Sequence, residues 1–149
     1  IYAGLIGLCR ELEAIDESWP ATLDSLEELL SDAGKFCKLA QEMLEANHAR
    51  EYEYEHLAVY FVYRYFMKCR SDGDLFSKGM LAIFCILLIR LLDVAKFAES
   101  RTLTKEDRVQ NAKTCSKEIE YSEENLETLA EMFWEREEVS VEKLRMLLQ

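Results

Sequence analysis

The sequence predicts an all-α protein, a single-domain bundle of five to seven helices built around a central apolar helical hairpin at about residues 50–99. Two observations carry that expectation. Only one proline and five glycines interrupt 149 residues, and apolar residues recur at three- and four-residue spacing nearly throughout. A composition of 50% hydrophobic and 32% charged residues suits one compact domain, residues 1–149, with a genuine core.

Residues 1 to about 16 give a first helix, ended by "DESWP", with Pro20 suited to the first turn of the next. Leu23, Leu26, Leu29, Leu30, Ala33, Phe36, Cys37, Ala40, Met43 and Leu44 keep one face apolar to about Asn47. "SDAG" at 31–34 leaves open whether this is one helix or two. A third helix runs from about 50 to 70. Its second half, Leu57 to Met67, is apolar on every side except at Arg64, which predicts a central helix covered by others. "SDGD" at 71–74 supplies the hairpin, with Gly73 left-handed at one helix end and Asp74 capping the next.

The fourth helix, about 75–99, contains "GMLAIFCILLI", eleven uncharged residues before Arg90. A membrane span needs roughly twenty, so this reads as a core helix and no membrane is expected. "TKED" at 104–107 opens the next helix, with Thr104 as N-cap and Asp107 closing a capping box. That helix carries Ala112, Ile119, Leu126 and Phe133 seven apart, with Cys115, Ser122 and Leu129 offset by three. Ser140 then caps a short terminal helix with Val141, Leu144, Leu147 and Leu148 on one side.

Charge narrows the function classes. A formal net charge of −11 excludes the basic face that nucleic-acid binding needs. Between Lys117 and Glu138, nine glutamates against Lys117 and Arg136 leave a local net charge of −7, an acidic helix face. The five cysteines, at 9, 37, 69, 85 and 115, form no CxxC pair. That scatter argues against a metal centre made by this chain alone and reads as reduced thiols of a cytoplasmic protein. The chain opens on Ile1 without a basic-then-apolar leader, so no signal peptide is expected, and it reads as a fragment of a longer protein.

Arg64 and Arg90 are the sharpest polar features, because a guanidinium within an apolar helix must reach water or meet a carboxylate. Asp72, Asp74, Asp93 and the segment "EIEYSEEN" offer partners. In that segment Glu118, Tyr121, Ser122 and Asn125 fall on one helical stripe. The expected candidate network or pocket is Arg64, Asp72, Asp74, Arg90, Glu118, Ser122 and Asn125. The structural alternative is arginines tied to acids that fix helix register. A lesser reading is a metal site from Glu45, His48, Glu53 and His56, two Glu-x-x-His pairs. On one continuous helix its two histidines would stand roughly 12 Å apart, too far for a dinuclear centre. Tyr60, Phe61, Tyr63, Tyr65 and Phe66 crowd one and a half turns, a core filler or a partner-helix groove.

"LAVYFVYRYFMK", "DGDLFSKGMLAIFCILLIRLL" and "SKEIEYSEENLETL" in that order resemble the C-terminal helical region of the bacterial flagellin lysine-N-methylase family. The resemblance covers about residues 52–134, and "LEAIDESWPATLDSLEELL" fits more loosely. It implies a parent enzyme that methylates lysines of flagellin with S-adenosylmethionine, with an iron–sulfur or other metal centre in a cysteine-rich half. Those clustered cysteines are missing here, so no cofactor and no catalytic residue is expected in this chain. Glu120 is marked with Arg64, Asp72, Asp74, Arg90, Glu118 and Asn125 only as a residue of the family pattern. The expected role is a substrate-docking or scaffold domain, not catalytic alone, with flagellin as partner. The alternative is a non-enzymatic helical interaction module.

Overall fold

The protein's structure, a computed structural model, describes residues 2–66, 68–136, 140 and 143, with the backbone alone at Ser71 and Asp72. It is all α-helical. Among the described residues there are seven helices of ten residues or more: α1 (Tyr2–Glu11), α2 (Trp19–Leu30), α3 (Ala33–Ala46), α4 (Tyr52–Phe66), α6 (Leu75–Ser100), α7 (Lys105–Cys115) and α8 (Glu123–Glu135). A single turn, α5 (Cys69–Asp72), follows α4. A 3₁₀ turn spans His48–Arg50 and a π turn spans Ser116–Glu120. No strand occurs among the described residues.

The axle is α6, which packs against α1, α2, α3, α4, α7 and α8. Phe84, Cys85, Leu87, Leu88, Leu91 and Val94 are wholly buried, so this helix is covered on nearly every side. Each such side chain contributes about 1.5–3 kcal/mol on leaving water. By length and composition α6 could cross a bilayer, yet 67% of its most apolar window is buried in the bundle, as in a core helix.

Local chemistry sets the helix ends. Pro20 sits in the first turn of α2. "SDAG" does break the second apolar run, because the Asp32 carboxylate accepts the Lys35 N–H at 2.9 Å and starts α3. Gly73 ends α5 at φ 73°, a left-handed conformation natural to glycine, and the Asp74 carboxylate accepts the Ser77 N–H to start α6. Thr104 and Asp107 close a full capping box on α7.

Three expectations need correction. The first helix ends at Glu11, five residues early, because residues 12–18 form a loop held by partners over a hundred positions away. The aromatic helix α4 is not covered by others. Only its Phe61 and Tyr65 are buried, while Val59, Tyr60, Val62 and Tyr63 face solvent. An apolar surface all round a helix states a preference, and here α6 claims the central place and leaves α4 outside. Finally, the run from Thr104 to Phe133 is two helices, because the wide turn at Ser116–Glu120 and Ser122 interrupt it. Val141, Leu144, Leu147 and Leu148 of the expected terminal helix lie outside the described residues.

Candidate functional site

The π turn turns three consecutive side chains inward: Glu118, Ile119 and Glu120 are all buried. At the 100° spacing of an α-helix three neighbours span 200° of the circumference, so one wall could not cover them all. The widened turn sits where α6, α8 and the α1–α2 loop converge, and the two acids leave it in different directions.

Glu118 reaches the α1–α2 loop. Its Oε2 accepts the Ile15 N–H at 2.9 Å and its Oε1 accepts the Asp16 N–H at 3.0 Å. Asn125, in the first turn of α8, completes the clamp. Its Oδ1 accepts the Glu13 N–H at 2.9 Å, while its Nδ2 donates to the carbonyls of Glu13 at 2.9 Å and Glu118 at 2.8 Å. Outside, Lys117 Nζ meets Asp16 Oδ2 at 2.7 Å. That ammonium, with the N–H and hydroxyl of Ser18, holds the Asp16 carboxyl well below the usual range.

Glu120 reaches α4. Its Oε1 receives Arg64 Nε at 2.7 Å, the Tyr65 hydroxyl at 2.6 Å and the Tyr60 hydroxyl at 3.2 Å. The Glu120 side chain is 1% exposed and that of Arg64 45%, so a half-solvated cation pairs with a buried anion. Both tyrosines stay protonated donors: burial pushes the Tyr65 phenol far up, with the Glu120 hydrogen bond adding to it, and burial beside Glu120 raises that of Tyr60. The guanidinium also lies 5.8 Å from the Tyr60 ring and 5.7 Å from the Tyr65 ring.

A third buried acid, Asp93 on α6, accepts the Tyr54 hydroxyl at 2.7 Å and Asn111 Nδ2 at 2.8 Å, joining α4, α6 and α7. Burial raises its carboxyl, against the pull of those two donors. Arg108 closes over the Tyr54 ring at 5.6 Å and pairs with Glu53 at 3.2 Å, leaving its own Nε buried without a hydrogen-bond partner.

The expected network is thus divided among several places. Arg64 does meet the π turn, through Glu120. Glu118 and Asn125 meet the loop, not an arginine, and Ser122 caps α8 by accepting the Asn125 N–H at 3.1 Å. Tyr121, placed on the same stripe by the sequence, is 75% exposed because the π turn shifts the register. Asp74 caps α6, and the side chain of Asp72 lies outside the described residues. Arg90 lines a separate cleft of about 500 Å³ with Tyr2, Phe36, Cys37 and Gln41. Glu45, His48, Glu53 and His56 do not converge: Gln41 donates to Glu45, His48 meets Glu51, Glu53 holds Arg108 and His56 packs on Tyr52. Among the described residues no group of three metal-ligating side chains comes together.

The helical order, the two caps at 73–74 and the π-turn acids can now be set beside known proteins. The model of the FliB lysine N-methylase C-terminal domain matches residues 3–147. The chain belongs to that family. It is therefore a domain of the flagellin lysine methylase kind, and the family implies a flagellin substrate. No curated protein and no solved structure matches it. An iron–sulfur cluster binds several thiolates at one place, and among the described residues no three cysteines come together as ligands. Cys9, Cys85 and Cys115 are buried, burial drives the thiols of Cys9 and Cys85 far up, and Cys37 is exposed in α3.

Sequence reasoning missed the loop partners Glu13, Ile15 and Asp16, since backbone N–H groups carry no sequence signature. It also missed the cluster of Tyr54, Arg108 and Asn111 around Asp93. The only available signal was a charged residue inside each of two apolar helices.

Proposed function

We propose that this chain is the substrate-docking or scaffold domain of a cytoplasmic protein-lysine N-methyltransferase that modifies flagellin, and that it is not catalytically complete alone. The observation that supports docking is the outer face of α8. Glu123, Glu127, Glu131 and Glu135 follow one another at four-residue spacing and are all exposed, with Glu124 beside the first. Such a row attracts lysine ammonium groups and speeds encounter at low salt. The acids that could have served chemistry are otherwise engaged: Glu118, Glu120 and Asp93 are spent on contacts within the fold.

Isothermal titration of the chain with a flagellin fragment tests the reading. Binding that weakens with salt, and that reversing Glu123, Glu127, Glu131 and Glu135 to lysine abolishes, supports it. Binding unchanged by the reversal at low salt sinks it. Titration with S-adenosylmethionine should be silent, and heat from the methyl donor would mean that this domain holds part of the active site.

A second reading, a helical interaction module without enzymatic role, draws on the exposed aromatic face of α4.

A further inference from the structure

Tyr52, His56, Val59 and Tyr63 follow one another on α4 at spacings of four, three and four, so they form one stripe along the helix. The stripe points away from the buried Phe61 and Tyr65. Tyr63 is 76% exposed, Val59 53% and Tyr52 50%, with Tyr60 and Val62 flanking at 43% and 40%. Among other exposed large apolar residues, Val109 lines a cleft with Leu57 and Tyr60 at the edge of this face.

Charge says what the stripe fits. Glu51, Glu53 and Glu55 mark the beginning of α4, and Arg64, Lys68 and Arg70 mark its end and the turn beyond. With Arg50 the stretch 50–70 is nearly balanced, on a chain whose net charge is −11. The net negative charge repels a second copy, and a nearly balanced stretch lowers that repulsion where the apolar stripe lies.

We infer that α4 is the contact of a two-fold symmetric dimer, in which it pairs antiparallel with α4 of a second copy. Antiparallel pairing sets the acidic beginning of each helix beside the basic end of the other, whereas parallel pairing sets like beside like. The two-fold axis uses the same patch twice and closes the assembly at two copies. The area suffices. At roughly 150–250 Å² for a fully buried aromatic, the exposed parts of Tyr52, Tyr60 and Tyr63 on two copies bring about 700 Å². The valines and charged ends carry the total past the roughly 1,000 Å² of a specific interface. The inference stands on α4 and does not depend on the docking role of α8.

Sedimentation equilibrium on the 149-residue chain tests it, with Tyr63→Glu and Val59→Glu as separate variants and far-ultraviolet dichroism to verify the fold. The expected result is a dimer that each variant weakens at least about tenfold, a change of about 1.4 kcal/mol. Pairing direction is read by oxidation on a background with both Cys37→Ser and Cys69→Ser, the two cysteines that are not buried. Val59→Cys, near the axis, should cross-link to its own copy, and Tyr52→Cys, far from it, should not. A chain that stays monomeric at about 100 μM overturns the inference, as does a dimer indifferent to Tyr63→Glu. Cross-linking through Tyr52→Cys would overturn the antiparallel pairing.

Discussion

Glu118 and Glu120 stand two residues apart in one turn, both buried, and neither is satisfied as the other is. Among the described residues no arginine or lysine pairs with the Glu118 carboxylate, which is held by two backbone N–H groups of the α1–α2 loop. Glu120 takes one guanidinium and two phenols, all side chains of α4. The difference lies in what each acid can lose. Backbone donors cannot swing to water when their acceptor is removed, so the Glu118 clamp fixes a path of the chain. Arg64 and Tyr60 are part-exposed and can find water, so the Glu120 knot fixes only how α4 leans on the bundle.

The largest expected effect follows from removing the clamp. Glu118→Leu keeps the bulk and strands the N–H groups of Ile15 and Asp16, costing about 4 kcal/mol. In a chain of this size that lowers the melting temperature by about 12 °C in calorimetry. Asn125→Ala removes three hydrogen bonds from the same clamp and should cost about 3 kcal/mol by urea unfolding. Glu120→Leu should cost less, about 2 kcal/mol, since Arg64 and Tyr60 reach solvent and only the buried Tyr65 hydroxyl is stranded. If it proved more damaging than Glu118→Leu, the contrast between backbone and side-chain satisfaction would be wrong.

Arg64→Met comes next, at about 1 kcal/mol, because a half-exposed pair is discounted by solvent and two hydroxyls still serve Glu120. A double-mutant cycle with Glu120→Leu measures the coupling directly. The smallest effect belongs to Asp93. Its carboxyl is raised in the fold, so the native state binds that proton more tightly than the unfolded chain does. Ionisation therefore destabilises, a cost absent below about pH 4 that grows as pH rises toward the raised value. Asp93→Asn keeps a carbonyl for Asn111 and offers an N–H to the Tyr54 oxygen. The variant should gain on the parent between pH 4 and neutrality, as measured by urea midpoints, and a gain that instead grew toward lower pH would reverse this sign.

Much of the fold was legible because it rests on local rules. Gly73 with Asp74, and Thr104 with Asp107, are punctuation that any helix must obey, and α6 shows its central place by an uninterrupted apolar run. What was not legible depended on competition or on a shift of register. The surface of α4 is as apolar as that of a core helix, and only the presence of α6 sends it outside. One π turn in the run from 104 to 133 splits the polar stripe, sending Glu118 and Asn125 inward and Tyr121 outward. Of the expected network Arg64 does meet the segment 118–125, through Glu120, whereas Glu118 pairs with a loop that composition cannot address.

The clamp also sets an order of events during synthesis. The loop that Glu118 and Asn125 seize is made 102 to 112 residues before its partners. At about 5–20 residues per second the ribosome leaves α1 and α2 waiting some ten seconds for the segment that fixes them. Through that interval the apolar faces of the first two helices have each other, α3 and then α6 to cover them. A nascent chain stopped short of Asn125 therefore presents an unlatched first hairpin to the chaperones and proteases of its cell.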